Sequence, residues 1–501
     1  MLTKLIVLGI YFAILFLIGV VASKRVKGVS DFYVGGKKLG YWAVAFSARA
    51  TGESGWLLLG LTGMGAMAGF SAYWVVAGEL LGVAVSWFFM AKRFKRATDK
   101  YDSVTIPDYL ESRFKSTTHT LRKISATALS LFVIIYVSAQ IDATGKAFES
   151  LLDINYYTGA LLGFLIVLAY ITFGGFVAAV WSDFFQGILM FLGLVLLPIV
   201  AWWTIGSGED IIGGLKAIDP KLLSVWGGSD DIWMTVFTIL GFAMIGLGFL
   251  GSPQVYVRFM SVKNEQEINK GRWVAIIFTL LTDAAAVTIG LLGRYLFTKA
   301  GQDPEAILGG AGEDVLIVMI NNLMPLTIIA VYIAIILSAI MSTIDSLLIV
   351  ASSAITRDFY QQIYKPKVNE KGMAKISRTV TFLMAVFALG IALWVAAVSP
   401  TRTVFWFSIF GWSGIAATFC PVIILSLFWS GYSEKGAIAS MVTGFACVPI
   451  FKFVVQKIEF NNIGLYFEKL DVLTPSFLLA MIAGYIFSKA FPPKEKHELV
   501  K

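Results

Sequence analysis

The sequence predicts an all-α membrane protein with about 13 transmembrane helices, and three observations carry that prediction. Of 501 residues, 57% are hydrophobic and only 14% charged, where a soluble domain carries about 25% charged residues. Apolar runs recur at lengths able to cross about 30 Å of hydrocarbon at 1.5 Å rise per residue. Two of those runs are interrupted by glycine-rich segments at corresponding places in the two halves of the chain, the arrangement expected of a carrier with an inverted repeat.

In chain order the runs are roughly 3–23, 41–67, 70–91, 124–147, 157–179, 184–205, 232–257, 273–298, 314–350, 376–399, 403–429, 434–456 and 473–491. The first resembles a signal sequence in hydropathy but lacks a clear cleavage site and precedes further spans, so it is read as a helix. The ninth is too long for one crossing, and its start, up to about Pro325, is expected as an external helix. The whole chain, 1–501, reads as one transporter domain: an extra first helix at 3–23, repeat one at about 41–205, repeat two at about 232–430, and trailing helices at about 434–491.

Charge sets the orientation. With the N-terminus outside, the inside segments Ser23–Leu39, Lys92–Lys123, Arg258–Arg272 and Arg357–Arg378, with Lys435 and the tail from Lys489, hold 29 of the 40 Lys and Arg residues. That asymmetry follows the positive-inside rule and places the C-terminus in the cytoplasm of a plasma (inner) membrane protein. It also accounts for the net charge of +8 without a nucleic-acid partner. Cys420 and Cys447 lie in apolar runs and supply neither a disulfide framework nor a metal cluster. The histidines are His119 and His497, so no HExxH zinc site exists, and no GxxxxGK[ST] phosphate loop is present. These absences argue against an intramembrane enzyme and an ATP-driven pump. A sensor built on a transporter body would be expected to carry a long appended signalling domain, and the last span is followed by about ten residues.

Within the second run, Ala45–Gly63, the residues Arg49, Thr51, Gly52, Glu53, Ser54 and Gly55 are small, polar or charged. Charge at bilayer depth is costly and marks a partner or a water-filled cavity. Gly52 and Gly55 make unwinding inexpensive, freeing backbone groups for a ligand; a short loop between two helices is the plainer alternative. The seventh run breaks at Gly246–Pro253, where Pro253 removes a backbone donor. From the second run to the sixth are five spans, and five again from the seventh to the eleventh, so the two sets are inverted in the membrane. In the ninth run, Ser342, Asp345 and Ser346 stand three and four residues apart on one helix face. Hydroxyls with a carboxylate are hard oxygen donors suited to a small cation, whereas Ser and Thr alone would read as helix-packing residues. Asp183, at the start of the sixth span, fits an N-cap as well as a ligand.

The segments SGWLLLGL (54–61), TIPDYLESRF (105–114), ITFGGFVAAVWSD (171–183), SPQVYVRFM (252–260), MSTIDSLL (341–348) and EKGAIASMVTG (434–444) resemble, in order and spacing, the sodium:solute symporter family, above all its bacterial sodium/proline symporters. The resemblance runs from about Asp31 to Tyr485. It implies a five-plus-five inverted-repeat core of the leucine-transporter kind, with flanking helices, working as a monomer in the bilayer. It also implies a first sodium held by the backbone carbonyls of Ala50, Glu53 and Ala339 and the hydroxyls of Ser342 and Thr343. A second sodium would involve Asp183, Ser342, Asp345 and Ser346. The cargo would lie near Ser54, Gly55, Trp56, Tyr136, Ile245, Phe249 and Pro253. Proline leads among cargoes, with another amino acid, a pantothenate-like organic carboxylate or a sugar as alternatives.

The chain departs from the proline-symporter pattern where Gly52 stands for an aspartate, Glu53 for a methionine, Arg49 for a small residue, Ile245 for a tryptophan and Phe249 for a tyrosine. Gln140 and Asp142 likewise replace small or apolar residues. Arg49 is expected to form a buried ion pair with Asp142 or Glu53, the rival being a direct grip on a cargo carboxylate. Glu79, Asp283 and Arg294 are read as cavity-facing or paired within the membrane.

Overall fold

The computed structural model describes residues 2–24, 29–364 and 370–499, without the side chains of 23, 29, 30, 32, 169–174, 370–372 and 374. Parts of the inside segments expected at Ser23–Leu39 and Arg357–Arg378 therefore lie outside the described residues. Among the described residues the chain is helical, with no sheet and a single isolated backbone bridge between Leu39 and Val262.

Among the described residues, eleven helices are long and apolar enough to cross a membrane. One of them, Trp56–Lys100, turns at Gly69, where φ is +62° and only glycine is comfortable. The shorter apolar helix Tyr156–Leu168 precedes a kink at Gly175, with φ 58° and ψ −166°. Counting these two divisions recovers the crossings that hydropathy marks. We number them α1 (Leu2–Ser23), α2a (Tyr41–Gly52), α2b (Trp56–Leu61 running into Thr62–Ala68) and α3 (Tyr73–Val85, extended through Ser86–Met90 and Ala91–Lys100). Then come α4 (Thr120–Leu152), α5 (Tyr156–Leu168) and α6 (Gly175–Ile205). Next are α7a (Ile232–Ala243 with Met244–Leu250), α7b (Pro253–Ser261), α8 (Glu265–Phe297) and α9 (Leu326–Ser353). The series ends with α10 (Glu370–Val398), α11 (Val404–Phe428), α12 (Glu434–Phe453) and α13 (Leu473–Ala490). The external helix expected before Pro325 is Val315–Leu323, and α9 begins just after that proline.

The two broken helices sit at the centre. The arm α2a packs on α6, α8 and α7b, while α2b packs on α8 and α11. The arm α7a lies between α3 and α11, and α9 lies against α6, α4 and α1. At Gly78 and Gly246 the backbones of α3 and α7a touch, so a methyl group on either would overlap a carbonyl of the other helix. Helices α12 and α13 pack on one another and on α11, outside this core.

Candidate functional site

The break in the second span is a local solution to the need to satisfy freed backbone groups in a dry interior. Residue Glu53 is extended, with φ −96° and ψ 99°, and the chain resumes as a π-helical turn at Trp56. Side chains take over the carbonyls that lose their helical partners. Ser342 Oγ donates to Ala50 O at 2.9 Å, Thr343 Oγ1 to Thr51 O at 3.2 Å, and Trp56 Nε1 to Gly52 O at 3.1 Å. Gly52 is required by close approach, because a Cβ there would lie 2.8 Å from Phe249 Cε1. Residue Gly55 donates its N–H to Gln140 Oε1 at 3.0 Å.

Four of the five oxygen groups expected around a first sodium converge here. Ser342 and Thr343 face α2a and both also donate to Ala339 O, at 3.1 and 3.2 Å. Every one of these residues is buried. Glu53 lies next in the chain, but Thr343 reaches the carbonyl of Thr51. An oxygen-only donor set at a helix break suits a hard monovalent cation.

The second group also assembles, with a member outside the expected set. Asp183 Oδ2 accepts from Ser47 Oγ at 2.6 Å and from Arg258 Nη2 at 3.0 Å. Ser346 donates to Asp345 Oδ1 at 3.1 Å, and Thr51 Oγ1 donates to Ser346 Oγ at 3.0 Å. Arg258 also bonds Ser346, Ser47 (3.1 Å) and the carbonyl of Gln254 (2.6 Å). Asp183, Asp345 and Ser346 therefore share one cluster, and a guanidinium from α7b already supplies it with positive charge. Asp183 Oδ1 has no hydrogen-bond partner. Arg258 was visible in the sequence as an arginine inside SPQVYVRFM, the signal that would have placed it here.

The pairing of Arg49 with Asp142 does not form. Arg49 Nε donates to Glu53 Oε1 at 3.0 Å, its Nη2 reaches the same oxygen, and Glu79 Oε2 lies 3.5 Å away. Thr282 Oγ1 donates to Glu53 Oε2 at 3.1 Å, and Asp283 adjoins the group. Asp142 instead bonds Arg402 (Nε at 2.9 Å) and Tyr156 OH at 2.6 Å, toward the end of α4. The physical reason is reach along a helix: Arg49 and Glu53 are one turn apart, and Glu53 turns back on it at the break.

Most expected cargo residues gather on the other side of the break. Ser54 Oγ is 3.4 Å from Tyr136 OH, and Gln140 Nε2 donates to Ser408 Oγ at 3.2 Å. The ring of Trp412 of α11 lies 5.0 Å from that of Phe249, tilted, and 6.4 Å from that of Tyr136, edge to face, and its indole N–H donates to Ile245 O at 3.1 Å. Trp56 turns from this group toward Gly52 O and the ring of Phe405 at 5.9 Å. Pro253 opens α7b, its missing N–H falling at a helix start where none is needed. Nothing in the sequence marks Trp412, since a tryptophan in an apolar span has no local signature. Arg49 Cζ lies 4.6 Å from the Phe249 ring centroid, and its Nη1 has no hydrogen-bond partner.

Two unwound helices, paired oxygen groups and buried charges at mid-span define a secondary transporter that couples a solute to a small cation. The chain belongs to the sodium:solute symporter family, whose model matches residues 32–444. It is 36% identical to the high-affinity proline transporter PutP of Bacillus subtilis (strain 168), over 87% of this chain and 89% of that one. It is 33% identical to the osmoregulated proline transporter OpuE of the same organism, over 97% and 94% of the two chains. Against sodium/proline symporter 2 of Staphylococcus saprophyticus the identity is 34%, over 97% and 92%. In fold it is similar to a Na+-coupled sialic acid symporter solved in a substrate-bound outward-open state, with TM-score 0.78, 20% identity and 99% of both chains covered. It is also similar to Mhp1, a nucleobase-cation-symport-1 family transporter (TM-score 0.54, 13% identity, 93% and 96% covered). These are leucine-transporter-like folds, as the inverted five-plus-five arrangement implies. The protein is a sodium-using carrier and not an enzyme.

Proposed function

We propose that this protein imports proline with sodium by alternating access. One observation carries the sodium half: the hydroxyls of Ser342 and Thr343 on α9 meet the carbonyls of Ala50 and Thr51 at the break in α2. A sodium ion among these oxygens would replace hydroxyl-to-carbonyl bonds by stronger ion–dipole contacts and tie the break to α9. In this reading Ala50, Ala339, Ser342, Thr343 and the carbonyl of Glu53 are the first-sodium ligands. Asp183, Asp345 and Ser346 with Ser342 are a second cation group that Arg258 partly neutralises. In this reading the protein binds one or two sodium ions. The cargo lies among Ser54, Gly55, Trp56, Tyr136, Ile245, Phe249 and Pro253, with Trp412 as a wall. The relatives that are proline transporters support proline as that cargo.

Repeat one (about 41–205) and repeat two (about 232–430) would rock against one another within a single transporter domain, with the N-terminus outside, the C-terminus cytoplasmic and a monomer as the working unit. Sodium moving through the membrane potential supplies about 2.3 kcal/mol per charge per 100 mV. Binding is reciprocal: sodium tightens proline as much as proline tightens sodium. The test is uptake of labelled proline into proteoliposomes with an inward sodium gradient. Accumulation that vanishes when choline replaces sodium supports the proposal, and equal uptake in both salts refutes it. A second reading, another small carboxylate as cargo, is favoured by the unpartnered Nη1 of Arg49 near Phe249 and by Ile245 and Phe249 themselves. Competition of proline uptake by other amino acids and organic acids separates the two.

A further inference from the structure

A crevice of about 820 Å³ lies outside the group of residues expected to hold the cargo. It is bounded by the end of α1, the segment leading into α2a, the first turn of α2a, the beginning of α6 and the first turn of α8. Its apolar wall is Trp42, Val177, Trp181 and Phe184, and Lys24 and Lys38 line it as well. None of its lining residues comes from α4, α7a, α7b, α9 or α11. It therefore includes none of the residues expected around the cargo. Trp42 is 50% exposed, and an aromatic residue so placed at the end of a span marks the interface between hydrocarbon and headgroups.

The crevice is lined by charges of both signs. Glu267 accepts the N–H of Tyr41 at 2.8 Å and so caps the positive end of α2a. Asp31 lies against Gly36 in the segment before α2a. Among the described residues, Lys24 and Lys38 are the cations that line the crevice, and two ammonium groups beside an aromatic wall are the complement of an acyl chain topped by a phosphate. A basic pocket between spans on the cytoplasmic side is a recurring form of headgroup recognition. A soluble anion would have no use for the wall of Trp42, Trp181 and Phe184.

We propose that this crevice binds one anionic phospholipid of the cytoplasmic leaflet, its phosphate between Lys24 and Lys38 and its chain along Trp42, Val177, Trp181 and Phe184. The occupant would rest on the first turn of α2a and on the residues either side of Asp183. The rings of Trp42 and Phe46 lie 5.8 Å apart, tilted, and Phe46 meets Phe184 edge to face at 5.4 Å, so the lipid would brace the inner arm of the broken helix against α6. The name of the leaflet rests on the orientation proposed above; the binding itself does not.

The experiment is native mass spectrometry of the detergent-purified chain titrated with phosphatidylglycerol and, separately, with phosphatidylcholine of the same acyl chains. The expected result is preferential retention of one phosphatidylglycerol by the wild type. K24Q/K38Q should weaken it by about 25-fold, about fivefold per lysine. V177W, which fills the crevice, should abolish it. Equal retention of both lipids, or unchanged phosphatidylglycerol binding in both variants, overturns the proposal. Displacement of the lipid by inorganic phosphate alone also overturns it, since that would make the crevice a simple anion site. Should K24Q/K38Q not fold, as judged by thermal melting, V177W and the single lysine variants carry the same test. None of these readouts involves sodium or proline, so their failure is distinct from failure of the transport reading.

Discussion

Replacing Ser342 by alanine tests the sodium site most directly. Its hydroxyl is fully buried and lies 2.9 Å from Ala50 O and 3.1 Å from Ala339 O, bridging the broken helix to α9. Without sodium, S342A loses one buried hydrogen bond and leaves Ala50 O without its side-chain donor, a loss of about 1 kcal/mol in stability. With sodium, the variant loses an oxygen ligand, which we place at about 1–3 kcal/mol of binding free energy, equal to a 5- to 150-fold weaker sodium affinity. The assay is thermal melting of the purified protein across a sodium titration, where stabilisation grows as RT ln(1 + [Na+]/Kd). The expected signature is a small drop in melting temperature without sodium and a large rightward shift of the sodium dependence. Ser338, one turn earlier on the same helix, is the control. Its hydroxyl bonds Tyr11 OH at 3.0 Å and Ala334 O at 2.8 Å, away from the break, so S338A should leave the sodium dependence in place. A sodium affinity in S342A within twofold of the wild type, or equal losses in both variants, would refute the assignment of this cluster to sodium.

Other expectations follow from the same geometry. Arg49→Leu leaves Glu53 and Glu79 buried without their cation and should cost about 3–5 kcal/mol, read as a lowered melting temperature; adding E53Q to it should recover part of the loss. Gly52→Ala puts a methyl 2.8 Å from Phe249 Cε1, and the crowding should cost about 1–3 kcal/mol and depress transport, with G52A/F249L restoring some of both. His497 packs on Phe114 and its N–H reaches Ser430 O at 3.0 Å, while burial, aided by Arg113 and Lys115, pushes its pKa down from 6.5 to about 4. The folded tail thus holds the neutral ring, so its docking is fully favourable above the unfolded pKa of 6.5 and weakens as pH falls toward 4. Limited proteolysis of the tail should accelerate over that window in the wild type, and H497Q should remove the pH dependence.

Much of this protein could be read without coordinates, because a bilayer imposes its terms locally. Hydrocarbon thickness sets span length, and a glycine-flanked charge in an apolar run cannot remain an ordinary lipid-facing helix. The apolar spans, the helix before Pro325 and the break at Gly52–Gly55 follow from such rules. Ser342 and Asp345 stood out as polar positions on an apolar face for the same reason. Tertiary structure decided which charges meet. Arg49 could reach either Glu53 or Asp142 on paper; the turn of the chain at Glu53 settles it, while Arg402, far along the sequence, takes Asp142. It also brought Arg258 to Asp183 and set Trp412 against Phe249 and Tyr136. Partner choice among buried groups depends on how helices remote in sequence are rotated and packed, and no local pattern of residues encodes that.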